Sequence, residues 1–418
     1  MLNFTRDFYL SLVIGLLAVD YFLNLLTEYL NLKNLKTELP SEFRDFHNQD
    51  SYALSQKYLR ENTVFGLITS SVYLAAYIFF ILLGGFNFAD ALARNFGFSG
   101  VLTGVIFGLI LKIFSDLLDV PFDAYDTFVI EKKYGFNRTT PKTFLLDMAK
   151  EWGLTLIIGA PLFAAVLYIF EQAGAAAWFY VWLFITAAEI IIVFVSPVLI
   201  MPLFNKFRPL DDSELKAAIE SYLDSNNFKI KGVFVMDGSR RSSKSNAFFT
   251  GFGKFRRIAL LDTLLAKHTR HEILAILGHE IGHYKKKHQF AFFIMSACQT
   301  GIMLYILSFF INNGPLFAAF KMERLSVYAS LVFFGFLYSP INMLLGMLTN
   351  YLARKFEFEA DFYSVSTLKK PEDMIKALKK LAVDNLGNLT PHPLKVFLEY
   401  THPPALERIK TIKKYSCL

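Results

Sequence analysis

Cysteine is scarce in this chain. Only two cysteines occur among its 418 residues, and Cys298 lies inside an apolar stretch. We therefore expect no disulfide framework. Cys417 is next to last, whereas a prenylation box has its cysteine fourth from the end, so we do not expect the chain to be prenylated itself.

Charge is scarce as well. Charged residues make up 19% of the sequence, while 54% is hydrophobic, with 45 Phe and a mean hydropathy of +0.37. Soluble globular domains rarely reach such values, so the composition predicts an integral membrane protein. The first apolar stretch lacks a basic leader and a small-residue cleavage site, so we expect it to remain as an uncleaved span.

The net charge of +7 could suggest a nucleic-acid partner. No known binding motif is present, however, and the basic residues lie in loops between apolar stretches. We therefore expect no nucleic acid. Membrane topology explains the basic loops better, with attraction to membrane lipid as a secondary effect.

Seven stretches are long and apolar enough to cross a bilayer, which takes about 20 residues. They lie near 8–30, 63–85, 99–120, 153–171, 177–204, 289–312 and 325–349. The loops before the second, fourth and sixth spans and the segment after the seventh are rich in Lys and Arg. The positive-inside rule then predicts an outside N-terminus, with the loops around Arg44, Lys132 and Lys244 in the cytoplasm.

Four ionisable residues fall inside these spans: Asp20, Lys112, Asp116 and Glu189. Such groups usually face a protein interior or a water-filled cavity. Lys112 and Asp116 are one helical turn apart, so they can instead neutralise each other as an ion pair. The sequence leaves both interpretations open.

We predict an all-α membrane protein of seven transmembrane helices with a small α+β unit on the cytoplasmic side. Its parts are a five-helix membrane region at 1–204, a cytoplasmic loop unit at 205–288, two membrane helices at 289–349 and a cytoplasmic tail at 350–418. In the loop unit we expect a helix from Asp211 to Asn226, capped by Asp212 or Ser213. We also expect strands at 231–236, 246–250 and 256–261, with a turn at Gly251-Phe252-Gly253.

The most informative stretch is His279-Glu280-Ile281-Gly282-His283. On a helix, residues four apart lie on one face, so both imidazoles can bind a single tetrahedral zinc ion. Glu280 can hydrogen-bond a water at the open position of the metal and act as a general base. The surrounding residues 270–287 read as one amphipathic helix. The pattern predicts one Zn²⁺ per chain.

A catalytic zinc usually has three protein ligands. The acidic run Glu357-Phe358-Glu359-Ala360-Asp361 follows the seventh span on the same side as the motif. Glu357 and Asp361 share a helix face, while Glu359 points roughly the other way. We predict Glu357 as the third ligand and Asp361 as the acceptor for the second N–H of a ligating histidine. His268, His271 and His288 flank the motif helix and are weaker candidates.

Basic residues precede the strand that begins at Asn246. They indicate either a solvated loop or a strand edge that binds an extended peptide through main-chain hydrogen bonds. We favour the edge, because the strand leads into the motif helix.

Together these motifs resemble the type I CAAX prenyl endopeptidases, which are integral-membrane zinc proteases. The resemblance extends from Tyr52 to Pro403 and includes Asn137-Arg138-Thr139-Thr140-Pro141 and Ser245–Gly251. It implies that the helices enclose a water-filled chamber with a gluzincin-like zinc site at its cytoplasmic end. It also implies that Asn246 and Ala247 clamp the substrate. Many members carry Gln where this chain has Glu359.

The resemblance places two further residues, His402 and Arg408, near the catalytic centre. We hypothesise that they stabilise the oxyanion formed when water attacks the scissile carbonyl. The alternative is structural: Pro403 and Pro404 stop a helix, and Arg408 pairs with an acidic neighbour.

The resemblance further suggests a peptide or protein substrate that is cut after a prenyl-cysteine followed by three residues. If the organism is a bacterium without prenylated proteins, the substrate is instead a damaged or unassembled membrane polypeptide. The expected location is accordingly a bacterial inner membrane or the endoplasmic reticulum membrane, with the active site facing the cytoplasm.

Two other classes of protein would explain part of this pattern. A site-2-type intramembrane protease would bury its motif within a span, but Lys285, Lys286 and Lys287 follow His283 directly. A transporter or channel would explain seven spans and intramembrane charges but would leave the zinc motif as an accident. The metal content of the purified protein separates these classes.

Overall fold

The computed structural model describes residues 4–250 and 257–415. Its α-helices are α1 (Arg6–Lys33), α2 (Gln49–Leu82), α3 (Gly85–Arg94), α4 (Gly100–Tyr125), α5 (Pro141–Leu154), α6 (Ala160–Gln172), α7 (Ala177–Val195), α8 (Met201–Phe204), α9 (Ser213–Ser225), α10 (Asp262–Lys267), α11 (Arg270–Lys285), α12 (His288–Leu307), α13 (Gly314–Ala319), α14 (Val327–Leu368), α15 (Pro371–Asp384), α16 (Pro393–Glu399) and α17 (Ala405–Tyr415). Its strands are β1 (Phe207–Pro209), β2 (Gly232–Met236), β3 (Ala247–Thr250) and β4 (Arg257–Leu261). The predicted turn at Gly251-Phe252-Gly253, the predicted strand start at Arg256, and Cys417 lie outside the described residues.

Seven helical segments within the described ranges are long and apolar enough to cross a membrane. They are Arg6–Lys33, Gln49–Leu82, Gly100–Glu131, Pro141–Gln172, Gly174–Phe204, His288–Leu307 and Val327–Leu368. The prediction of seven spans is confirmed. Wide π-helical turns join α5 to α6 and α7 to α8. Pro161 follows the first wide turn, and Pro197 lies within the second. Proline has no backbone N–H, so the helix loses one hydrogen bond there and rearranges locally.

Four spans extend more than ten residues beyond the apolar stretches predicted, and α2 and α14 are two of them. Helix α2 begins at Gln49, where the Asn48 side chain accepts a hydrogen bond from the Ser51 N–H at 2.7 Å. Helix α14 runs for 42 residues and ends only where Lys369 takes a left-handed conformation before Pro371. No Gly or Pro interrupts residues 350–368. The acidic run predicted to lie in a tail is therefore a rigid continuation of the last membrane helix.

The basic loops meet on one face of the helix bundle. Lys413, near the end of α17, pairs with Glu42 in the loop between α1 and α2 at 2.8 Å. On the opposite face, Asn313 donates a hydrogen bond to the hydroxyl of Tyr9 at 3.1 Å, near the start of α1. The Lys/Arg-rich loops and the start of α1 thus lie at opposite ends of the bundle.

The sheet has the order β1-β2-β4-β3, with β2 and β4 parallel and the other pairs antiparallel. Strand β3 lies at the edge of the sheet, where an extended peptide could pair with it as the sequence predicted. Strand β1 was not predicted, since three residues ending in Pro209 carry no period-2 pattern. Helix α9 has Asp212 as its N-cap.

The sheet and α9 pack against α11 around a core that includes the fully buried Ile219, Leu260 and Ile281. Burying such a side chain contributes about 1.5–3 kcal/mol each. Helix α11 is therefore held in the centre of the unit instead of lying on its surface. It begins with a capping box between Thr269 and Glu272 and ends at Lys285, two residues earlier than predicted.

A cavity of about 870 Å³ lies between α1, α2, α4 and α14. Most of the residues that line it are apolar, but Asp20 and Lys112 line it as well. Asp20 accepts a hydrogen bond from Ser339 at 2.7 Å, and Lys112 pairs with Asp116 at 2.9 Å. Both interpretations therefore hold for Lys112, because it lines the cavity and is also paired.

Candidate active site

Helices α11 and α14 approach each other closely where the motif lies. A Cβ added to Gly282 would lie 3.0 Å from the Cα of Ala360 and 3.1 Å from its carbonyl oxygen. Nearby, the Ser364 hydroxyl donates to the Ala275 carbonyl at 2.7 Å. Because glycine allows backbone to meet backbone here, the two separate motifs form one site.

Three candidate ligand atoms converge between the helices. His279 Nε2 lies 3.1 Å from His283 Nε2 and 3.4 Å from Glu357 Oε2, and His283 Nε2 lies 3.2 Å from Glu357 Oε1. Tetrahedral zinc with ligand bonds of 2.0–2.1 Å places its ligand atoms about 3.3 Å apart. The three side chains therefore fit a single ion of this kind, and they form a potential metal group among the described residues.

The other ring nitrogen of His279 is held by a buried ion pair. Its Nδ1 lies 2.8 Å from Asp361 Oδ1. Arg408 donates two hydrogen bonds to Asp361, from Nε at 2.8 Å and from Nη2 at 2.6 Å. Asp361 is completely buried, so this bidentate contact fixes the carboxylate that orients the histidine.

Arg408 also reaches Glu357, with Nη1 3.0 Å from Oε2. Its guanidinium is thus committed to two carboxylates and does not stand free on the open side of the site. Of the two interpretations of Arg408, the geometry favours pairing with acidic neighbours. These neighbours are Asp361 and Glu357 on α14, and the sequence did not predict either as a partner of Arg408.

His402 stands at the open side. Its Nε2 lies 3.3 Å from Glu357 Oε1, and its side chain is 66% exposed. Its Nδ1 lies 2.9 Å from the Thr401 hydroxyl. When that hydroxyl donates to Nδ1, the ring proton sits on Nε2 and points toward the site.

Glu280 lies close enough to His279, His283 and Arg408 to feel their charges. Burial raises the pKa of Glu280, and these neighbours offset part of the increase. A raised pKa makes a carboxylate a stronger proton acceptor, which is the property that a general base requires.

His288, one of the weaker candidates from the sequence, contacts the site through His283, and this contact was not predicted. Its Nδ1 lies 3.1 Å from His283 Nδ1, and its Nε2 lies 3.3 Å from Glu359 Oε2. Its ring stacks on Phe356 at a centroid distance of 4.1 Å. His288 and Glu359 therefore support His283 much as Arg408 and Asp361 support His279. Spacing gave no signal, because the left-handed Lys287 breaks the helix between the two histidines.

The other two flanking histidines are not part of this arrangement. His268 is buried beside Glu272 at 3.5 Å, at the start of α11. His271 is exposed in the first turn of the same helix.

Asn246 and Ala247 lie at the start of the edge strand β3, which packs beside α11. Ala247 pairs with Leu260 of β4. The preceding residue, Ser245, is held through its main chain by Asn385, whose side-chain amide accepts from the Ser245 N–H at 3.1 Å and donates to the Ser245 carbonyl at 3.3 Å. The start of the edge strand is thus fixed from α15.

Lys244 ties the same strand to the membrane helices. Its ammonium lies 3.0 Å from the Tyr58 hydroxyl on α2 and 2.9 Å from Glu131 at the end of the third span, and it stands 4.6 Å from the centre of the Phe136 ring. Burial alone would lower the pKa of Lys244, but the hydrogen bonds to Tyr58 and Glu131 raise it. No pattern in the sequence predicts this contact of Lys244.

Both halves of the chain match known protein families. Residues 28–206 match the family described as CAAX prenyl protease N-terminal, five membrane helices, and residues 209–416 match peptidase family M48. A CAAX prenyl protease 1 homolog of Arabidopsis thaliana is 33% identical, covering 97% of each chain. The chain belongs to the CAAX prenyl proteases of peptidase family M48. The family resemblance predicted from the sequence is confirmed.

Two yeast proteins extend the comparison. CAAX prenyl protease 1 of Saccharomyces cerevisiae is 30% identical over 90% of this chain and 89% of the relative. The crystal structure of S. mikatae Ste24p superposes with a TM-score of 0.92 at 30% identity, covering 97% of this chain and 99% of that one. This M48 protease is therefore a multi-pass membrane metallopeptidase, and the predicted seven-helix fold with a small α+β unit is confirmed. The cytoplasmic placement of that unit stays a prediction. The family implies a metal ion, and the site between α11 and α14 fits one.

Proposed function

We propose that this M48 protease is a zinc endopeptidase that cleaves prenylated CAAX-type proteins near their C-termini. The observation that carries the proposal is the convergence of His279, His283 and Glu357 at the separations of tetrahedral zinc ligands. The names of the relatives support the substrate class. When bound there, zinc acts as a Lewis acid that polarises the scissile carbonyl and acidifies water.

The side chains around the site take complementary roles. Glu280 accepts a proton from the attacking water and returns it to the amide nitrogen as the C–N bond breaks. The Nε2–H of His402 donates to the carbonyl oxygen as negative charge develops on it. Arg408 and Asp361 keep His279 oriented, so they act by positioning and not by touching the substrate.

The substrate main chain has a place to bind. Strand β3 offers its outer edge beside α11, so an extended peptide can add to the sheet next to Asn246 and Ala247. The Ala247 N–H is hydrogen-bonded to the Asn246 side chain at 2.8 Å. That side chain can exchange this donor for one on an incoming peptide, which would give Asn246 a direct part in docking.

We also propose that the site faces the cytoplasm. The site lies at the end of the bundle where the Lys/Arg-rich loops meet, and such loops are retained on the cytoplasmic side. A cysteine at position 132, in a variant with Cys298 and Cys417 replaced by serine, should react with an impermeant maleimide only after the membrane is opened. Labelling of sealed cells from outside contradicts this topology.

The substrate proposal is tested with two synthetic peptides that end in the same CAAX sequence, one farnesylated and one not. Purified, zinc-loaded protein should release the last three residues of the farnesylated peptide, which mass spectrometry identifies. The matched Glu280→Gln variant should release none. If both peptides are cut at the same rate, the prenyl specificity is wrong while the peptidase assignment stands; if neither is cut, the CAAX proposal is wrong.

A further inference from the structure

A basic groove of about 750 Å³ lies between α2 and the loop that follows the third span. Lys57 and Arg60 line it from α2, and Lys133 lines it from the loop. Glu61 is the one carboxylate among its described lining residues. The groove therefore carries a net positive charge.

Its single carboxylate is already neutralised. Glu61 accepts hydrogen bonds from Lys133 at 2.6 Å and from the Tyr134 hydroxyl at 2.7 Å. Lys57 and Arg60 are exposed, and neither has a hydrogen-bond or ion-pair partner within the described part of the chain. An anion can therefore bind these two cations without breaking an existing contact.

The groove opens away from the internal cavity. At about 100° per residue, Leu54, Lys57, Arg60 and Val64 fall within about 120° of one another around α2. Tyr73, Tyr77 and Phe80, which line the cavity, lie on the opposite side of the helix by the same count. The groove therefore faces the lipid that surrounds the bundle.

The cations also lie at the depth of lipid headgroups. The apolar stretch of α2 begins near residue 63, so Arg60 and Lys57 stand roughly 5–9 Å beyond it along the helix. The headgroup layer on each side of a bilayer is about 5–7 Å thick, and both long side chains can reach into it. Farther down the same face, Ile68 and Phe79 are 53% and 62% exposed.

We propose that this groove binds an anionic phospholipid of the surrounding leaflet. Lys57 and Arg60 contact the headgroup, and the acyl chains lie along the exposed apolar face of α2 that carries Ile68 and Phe79. The two cations and the adjoining apolar face together favour a lipid over a soluble anion, because a soluble anion would contact only the cations. The groove selects an anionic lipid over a zwitterionic one, because the described lining residues include no uncommitted carboxylate to meet a choline group.

The test titrates full-length protein in detergent with dioctanoyl phosphatidylserine and follows thermal unfolding. Replacing both cations, as Lys57→Gln/Arg60→Gln, should weaken binding on the order of 30-fold. The matched control Lys216→Gln/Lys229→Gln removes two exposed cations outside the groove and should bind as the wild type does. Without lipid, all three proteins should unfold at the same temperature, since Lys57 and Arg60 have no protein partner among the described residues.

Two ligand controls separate the sources of the anion. Dioctanoyl phosphatidylcholine and glycerophosphoserine, which is the headgroup without chains, should each bind the wild type at least about tenfold more weakly. Equal affinity of the groove and control variants for phosphatidylserine would overturn the proposal. Glycerophosphoserine binding as tightly as the lipid would overturn it in favour of a soluble-anion site. If the groove variant unfolds early, the lipid preference is measured instead by native mass spectrometry of the wild type in mixed-lipid nanodiscs. The proposal is then rejected if the protein retains phosphatidylserine no better than phosphatidylcholine.

Discussion

The close approach of α11 and α14 at Gly282 makes a sharp prediction. In Gly282→Ala, the new Cβ would lie 3.0 Å from the Cα of Ala360 and 3.1 Å from its carbonyl oxygen. These are backbone atoms and cannot turn aside as a side chain can. The helices must separate, which moves His279 and His283 on one helix away from Glu357 on the other. We expect a loss of about 1–3 kcal/mol in the free energy of unfolding, as for other overpacked cores, together with weaker metal binding.

Gly346→Ala is the matched control, because Gly346 lies in α14 and a Cβ there meets nothing within 4 Å. Replacing a helical glycine in open space removes a penalty of up to about 1 kcal/mol, so this variant should be as stable as the wild type or slightly more so. Unfolding in mixed micelles and zinc competition with a chelator measure both effects. If Gly282→Ala keeps wild-type stability and zinc affinity, the close contact does not set the geometry of the site.

Further variants probe the supports of the site. Arg408→Met should lower the free energy of unfolding by about 3–5 kcal/mol, because it leaves the buried Asp361 carboxylate unpaired; a loss below about 1 kcal/mol in mixed-micelle unfolding contradicts that pairing. His288→Ala should weaken metal binding about 10–100-fold, because His283 loses its ring partner, and an unchanged affinity in chelator competition argues against this role. Lys244→Met should raise KM and leave kcat within about twofold, because Lys244 holds the substrate-binding strand against the membrane helices, and Lys244→Arg should retain a low KM. Peptide-cleavage kinetics in which both variants lose kcat equally would rule out this positioning of the strand. Thr269→Ala removes the cap of α11 and should lower stability by about 1 kcal/mol, with unchanged activity per folded molecule; no loss in thermal unfolding refutes the cap.

Local spacing predicted the residues that converge in the structure. His279, His283 and Glu357 were predicted as ligands and Asp361 as the partner of a histidine, because positions four apart on a helix share a face. Their roles remain proposals until tested. The sequence also predicted seven spans, since hydrocarbon thickness fixes the length of an apolar helix.

Properties that depend on packing between distant segments were not predicted. The partners of Arg408 lie on α14, and no pattern within α17 indicates them. The His288 contact depends on a left-handed residue at position 287. The close approach of α11 and α14 could have been predicted. Gly278 and Gly282 are four residues apart in the motif helix, so one face of that helix leaves room for a neighbouring backbone.

The central claim is that three side chains hold one zinc ion and that Glu280 serves as the base beside it. The most direct measurement is zinc content and peptide turnover on the same preparations of wild type, Glu280→Gln, Glu357→Gln and the exposed-carboxylate control Glu372→Gln. We expect one zinc per chain in all but Glu357→Gln, and turnover about 10²–10⁴-fold lower in Glu280→Gln but normal in Glu372→Gln. Zinc bound by Glu357→Gln with wild-type affinity, or wild-type turnover by Glu280→Gln, would contradict the account.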